Sequence, residues 1–258
     1  MILLGIDTAT AATAVALRLD DGSITEARDD PRAGQHPGHA TRLLPMVHQL
    51  LDRAGVDWGE LDRIAVGIGP GTFTGLRVGI ATARGLAQSL SVDLVGVSSA
   101  HALAVPALKG RSDGAAASRS EGAGTVLSVI DARRGEVFAA VYGMRGRTEA
   151  PGTVLEARAV RPERLGEVLE AARRNGQKQE RGVVAVGDGA VRFREHLESL
   201  DVSVPADSSP LHRVSAAAVC ELGACAAASQ TPPLPDYRRL PDAEIALETA
   251  GGGGGGRG

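Results

Sequence analysis

The stretch AVGIGPGTFTGLR (65–77) holds the residues best placed to do chemistry: an apolar β-like run, the turn Gly69-Pro70-Gly71, and a helix opened by Thr72 or Thr74. Backbone N–H groups at a turn and the positive end of a helix dipole together make an anion site. The same geometry also serves as a tight turn that lets a helix pack unusually close to its neighbour. Both readings stay open. The stretch has neither the Gly-Lys-Ser/Thr ending of a P-loop nor a GxGxxG pattern with an acid on a second strand. Asp7, in GIDTATAATAVAL (5–17), stands at a strand end. A carboxylate there either orients a metal-bound water or caps its own turn. Asp7, Gly69 and Gly71 are the candidates for cofactor binding. Arg133 and Arg134, in a second hairpin turn, either meet an anion or stand in solvent.

Histidine and cysteine offer little to a metal. His39 and His48 are nine residues apart, about 180° around a helix of 3.6 residues per turn. His36 is cut off from His39 by Pro37 and Gly38, which resist a regular helix. Cys220 and Cys225 share one Ala-rich segment at a spacing poor for a helical disulfide, and both read as small buried apolar residues. No metal and no resident cofactor is expected.

Composition narrows the function further. The 258 residues are 43% hydrophobic, enough to bury a substantial core, and carry a net charge of −3. The basic residues, almost all arginine, are spread without a block, and aromatic content is only 2%. An electrostatic footprint and stacking platforms for nucleic acid are therefore missing, and autonomous RNA binding is not expected. The start, MILLGIDTAT, meets Asp7 before a signal-peptide core could form, and no apolar run reaches about 18 residues. A soluble, cytoplasmic protein with no membrane contact is the expectation.

Elements that could position these residues occur twice. GIDTATAATAVAL (5–17) and SVIDARRGEVFAAVY (128–142) each read as a β-hairpin whose first strand ends in Ile-Asp. AVGIG (65–69) and AVGDG (185–189) follow at nearly the same distance, each a strand running into glycines. Between the members of each pair lies an amphipathic helix. Leu43, Met46, Val47, Leu50, Leu51 and Ala54 form one apolar face ending at Gly55, with Pro45 starting or kinking the helix. Leu165, Val168, Leu169 and Ala172 form the other, stopped by Gly176. The repeat predicts an α/β fold made of two duplicated domains, with mixed sheets flanked by helices. The expected divisions are 1–105 and 106–212, a helix over 213–229 packing back on the first domain, and a C-terminal extension over 230–258. The segment 109–125 and the Gly-rich tail are too poor in apolar residues to order themselves.

The helix after the Gly-Pro-Gly turn has an unusual surface. Gly75, Gly79, Ala83 and Ala87 recur at every fourth position beside Leu76, Ile80, Leu86 and Leu90. Each helical glycine costs about 1 kcal/mol relative to alanine, so close packing must offset it. The small ridge fits either the chain's own sheet or a foreign helix docked through i±4 rows.

Taken together, GIDTATAATAVAL, HATRLLPMVHQLL (39–51), LDRIAVGIGPGTFTGLRVGIATARGLAQSL (61–90), VGVSSAHALA (95–104), IDARRGEVFAAVY (130–142) and PDYRRLPDAE (235–244) resemble the bacterial TsaB (YeaZ-like) family. The resemblance implies the actin-like, Hsp70-like, sugar-kinase-like fold, also described as RNase H-like. It also implies a non-catalytic scaffold in a complex that makes N6-threonylcarbamoyladenosine at position 37 of tRNAs reading codons that begin with A. The implied partners are a TsaD-like transferase and a TsaE-like ATPase, with tRNA met only through the complex and nucleotide only at its assembled interface. The family contact corresponds here to the helices over about 39–54 and 74–90. On that basis His39, Leu43, Met46, Val47, Leu50, Gly75, Leu76, Gly79, Ala83, Leu86 and Ala87 are the expected interface. In the partner's absence the exposed apolar faces of the same helices would suit a homodimer. Kinases and ATPases of this fold carry glycines in the first hairpin turn, where this chain has Thr8-Ala9-Thr10-Ala11-Ala12-Thr13, whose β-carbons crowd a phosphate. An ATP-dependent kinase or ATPase is the alternative, and a metallopeptidase lacks the helical His-x-x-x-His pair.

Overall fold

The apolar run Leu3–Asp7 forms strand β1 and is buried along its whole length, as a central strand covered on both faces must be. In this computed structural model residues 1–32, 34–110, 124–144, 151–175, 182–228 and 231–238 are described. After β1 come β2 (Thr13–Arg18), β3 (Ile24–Asp29), helix α1 (His39–Ala54), β4 (Arg63–Gly69), α2 (Phe73–Leu90) and β5 (Asp93–Ser98). They build a five-stranded sheet in the order β3-β2-β1-β4-β5. The hairpin pairs β1 antiparallel to β2, with Asp7 opposite Ala14, while β4 and β5 run parallel to β1.

Helix α3 (Ser99–Leu108) leads to the second copy: β6 (Thr125–Arg133), β7 (Glu136–Met144), β8 (Pro151–Val160), α4 (Leu165–Arg174), β9 (Val183–Val186), the short α5 (Asp188–Arg192) and α6 (Arg194–Ser199), and β10 (Val202–Ser203). This sheet is ordered β10-β9-β6-β7-β8, the same arrangement as the first when matched strand for strand. The duplicated pair of mixed sheets flanked by helices, expected from the repeat, is the architecture found.

Three cores hold the layers together. One face of the first sheet packs on α1 and α2 through Leu4, Ile6, Leu43, Val47, Leu50 and Ile80. One face of the second sheet packs on α4, α5 and α6 through Leu127, Val137, Leu165, Val168 and Leu197. The facing surfaces of the two sheets share a third core, filled by α3 and by α7 (Ala216–Cys225). Helix α3 is apolar around nearly its whole circumference, which suits a helix enclosed by protein. It follows the first sheet in sequence yet lies mainly against β6 and β7, so a division at 105/106 falls within it. Helix α7 returns to β1, β2 and β4. Its approach is so close that a β-carbon on Gly5 would lie 2.6 Å from Cys220 Sγ and 2.8 Å from the Ala216 carbonyl oxygen.

Cys220 is buried as expected, whereas Cys225, on the last turn of α7, is exposed. Pro45 does not start α1, which runs from His39 to Ala54 through it, with the proline on the exposed side of the helix. Residues 111–123 of the low-complexity segment, the stop signal Gly176 and the Gly-rich tail lie outside the described residues. No helix among the described residues is long and apolar enough to cross a membrane.

Candidate functional site

At the carboxyl end of β1 the hairpin turn folds over the Gly-Pro-Gly loop and the first turns of α2. Thr72, the residue before α2, donates its N–H to the Ala9 carbonyl at 2.7 Å. A β-carbon on Gly71 would overlap that same carbonyl, so glycine is what lets the two loops meet. One turn on, Thr8 Oγ1 donates to the Gly75 carbonyl at 2.7 Å. A β-carbon on Gly75 or Gly79 would overlap Thr8 itself. The turn whose N–H groups could have met a phosphate is therefore closed by the chain's own backbone.

Asp7 is 1% exposed and held on both oxygens. Its Oδ1 accepts the Ala9 N–H at 3.0 Å and its Oδ2 accepts the Ser99 hydroxyl at 2.6 Å. Burial pushes its carboxyl above the usual Asp range, against these two hydrogen bonds, which pull the other way. The Ser99 oxygen in turn accepts the Gly69 N–H at 3.2 Å. Asp7 thus ties hairpin, loop and the start of α3 into one buried knot, and has no lone oxygen turned toward a metal-bound water. Gly69 and Gly71 belong to the same knot.

The second copy repeats the device with other residues. Asp188 Oδ1 accepts the N–H groups of Asp131 and Gly189, each at 2.9 Å. Burial raises its pKa, chiefly by desolvation. Asp131 carries the charge pairs: Arg192 at 2.9 Å and Arg133 at 3.7 Å. Arg133 and Arg134 are exposed at the turn, and Arg133 faces this carboxylate.

Histidines do not gather. His39 is buried at the start of α1 with Nδ1 2.9 Å from Thr13 Oγ1, and desolvation lowers its pKa. His48 is on the surface beside Asp52, one turn along. Among the described residues no group of three His, Cys, Asp or Glu side chains is arranged to hold a metal ion.

The expected seam on α1 and α2 needs correction. His39, Leu43, Val47, Leu50, Gly75, Leu76, Gly79, Ala83 and Ala87 are all buried inside this chain, most of them in the core under the first sheet. The glycine ridge is filled by Thr8, and the alanines continue it against the sheet. These residues face the chain's own interior, and a side chain larger than glycine at position 79 would overlap Thr8. Met46 and Leu86 lie at the margin, partly exposed.

A different face of the same two helices is open. Leu44 is 47% exposed and Phe73 39%. Beside Leu44, between α1 and the C-terminal half of α2, runs a groove of about 630 Å³ lined by Leu44, Pro45, His48, Trp58, Leu86, Ser89 and Leu90. Of the residues lining it Ser89 is exposed, and α2 also presents Thr74, Ala81 and Gly85 to solvent, with nothing within 4 Å of where a Gly85 β-carbon would be. This second stripe of small residues lies beside the buried ridge in sequence. Leu44, an apolar residue off the core face of α1, was the signal that could have located it.

The family model matched by the chain is that of TsaD, tRNA N6-adenosine threonylcarbamoyltransferase, over residues 32–242. The tRNA threonylcarbamoyladenosine biosynthesis protein TsaB of Escherichia coli K12 is 40% identical over 143 residues, 55% of each chain. Its Bacillus subtilis 168 namesake is 32% identical over 142 residues, again 55% of each. The match spans about half the length of these curated relatives. Among solved structures, YeaZ from Pseudomonas aeruginosa superposes with a TM-score of 0.66 at 28% identity, covering 87% of this chain and 91% of that one. A second structure, described as an uncharacterized protein with similarity to peptidase YeaZ from Pseudomonas aeruginosa, gives 0.69 at 30% identity over 92% and 99%.

Proposed function

The chain belongs to the TsaB/YeaZ-like family, and from that premise we propose that it is a non-catalytic scaffold in the biosynthesis of N6-threonylcarbamoyladenosine at position 37 of tRNAs reading codons that begin with A. Its partner is a TsaD-like transferase, with a TsaE-like ATPase and tRNA engaged through the assembled complex in the cytoplasm. The observation that carries the reading is the open apolar groove between α1 and α2. A large aliphatic side chain such as Leu44, left in water on an otherwise well-packed helix pair, marks a surface built to be covered. Small residues at Ala81 and Gly85 let a foreign helix approach closely along the same face. In the partner's absence the same face pairs with a second copy.

The closed loops support the absence of intrinsic chemistry. An ATPase of this topology needs backbone room for phosphates and a carboxylate facing them, whereas Ala9, Thr72 and Asp7 spend those groups on each other. No resident cofactor is required by this role. The test is co-purification of a tagged TsaD-like transferase with the wild type and with Leu44→Arg. Loss of the complex by a folded variant is the expected result, and an undiminished complex overturns the assignment of the face.

A further inference from the structure

Beyond α7, residues 231–238 (TPPLPDYR) pass along the edge strand β5 to the carboxyl end of β4. The Asp236 N–H donates to the Ile68 carbonyl at 2.8 Å, and Pro233 packs on Gly96 so closely that a β-carbon there would lie 2.9 Å from it. Pro232, Pro233 and Pro235 fix φ at three of these eight positions and lower the entropy lost on ordering the segment. Tyr237 stacks on Phe73 of α2 with ring centroids 5.2 Å apart, and its hydroxyl accepts Arg77 Nε–H at 3.0 Å. The next residue reaches the other lobe: Arg238 lies 3.6 Å from Glu156 on β8 while also holding Asp236 at 2.7 Å.

Consecutive side chains therefore grip different lobes. Beneath them the lobes meet at Tyr142 of β7, whose ring stacks on His101 of α3 at 4.6 Å and whose hydroxyl is 3.4 Å from Ser98 Oγ. We propose that residues 231–238 form a latch that holds the two lobes at a fixed angle, Tyr237 seated on α2 and Arg238 on β8. Exposed ion pairs and half-exposed stacked rings are individually modest contacts, so the latch is releasable. It is a conformational device, and it does not rest on the docking reading, because it acts in the isolated chain.

The test measures the spread of one interlobe distance. Spin labels are placed on Gln49→Cys of α1 and Glu170→Cys of α4, both exposed sites, in a Cys225→Ser background that leaves only buried Cys220. The wild-type latch gives a single narrow distribution. Arg238→Ala or Glu156→Arg alone should widen it at least twofold, and the two together should be no wider than Arg238→Ala alone, because the contact between the two positions is then already gone. Glu156 faces solvent and Arg238 is partly exposed, so the fold tolerates the changes, and unchanged circular dichroism confirms it. Wild-type width in the single variants, or a double variant wider than Arg238→Ala, overturns the latch.

Discussion

Thr8 Oγ1 donates to the Gly75 carbonyl across 67 residues of sequence, and this one bond shows where the small ridge of α2 is spent. A glycine ridge filled from within predicts a packing coupling that a docking seam would not show. Thr8→Ala removes the bond and costs about 1 kcal/mol, while Gly79→Ala forces a β-carbon onto Thr8 and costs about 1–3 kcal/mol. Because the overlap at Gly79 is with the Thr8 side chain, the double variant should be less destabilised than the sum. Urea unfolding of the four proteins measures the coupling, and strict additivity contradicts the contact.

Asp7 gives the stability a specific pH dependence. Its folded pKa is raised above the ordinary value of 3.8, so the native state binds its proton more tightly than the unfolded chain does. The sign follows directly: the buried carboxyl favours folding in its neutral form, and this contribution fades as pH rises from about 3.8 through the folded value. Asp7→Asn keeps the acceptor for Ala9 and removes the charge. The difference in urea midpoint between Asp7→Asn and wild type should grow in favour of the variant as pH rises. A difference independent of pH between 4 and 8 contradicts the buried, raised carboxyl.

Gly5 tests the close seat of α7. The β-carbon of Gly5→Ala would meet Cys220 Sγ and the Ala216 carbonyl, and overpacking of this kind costs about 1–3 kcal/mol. Cys220→Ala relieves only the sulfur clash, since the carbonyl belongs to the backbone. The double variant should therefore remain destabilised relative to Cys220→Ala, as read by thermal unfolding. Full rescue would mean that α7 moves away freely.

Much of this was legible from spacing. The hairpins, the glycine-ended strands, α1 and α4 follow local periodicity, and their recurrence in order is what predicts a duplicated mixed-sheet fold. The buried face of α1 was readable as apolar through Leu43, Val47, Leu50 and Leu51. Which of two surfaces receives an apolar or small face was not, because Gly75 and Gly79 look the same whether Thr8 or a foreign helix fills them. Their true neighbour is set by a contact between distant segments, and periodicity within one helix carries no information about it. The same blindness hid Ser99 as the partner of Asp7 and α3 as a helix lying chiefly on the second sheet. Exposure of Leu44 and Gly85 was the missing fact, and the proposed docking face rests on it rather than on the buried ridge.

The most direct measurement of the account is a calorimetric titration of the purified TsaD-like transferase into three forms of this protein: wild type, Gly85→Arg and Asp7→Asn. Gly85 is open to solvent on the proposed face and Asp7 is buried away from it. A bulky charged side chain set into a docked interface costs about 2 kcal/mol, a roughly 30-fold loss of affinity. The account predicts that loss for Gly85→Arg and wild-type affinity for Asp7→Asn. Equal affinity of Gly85→Arg and wild type would contradict it.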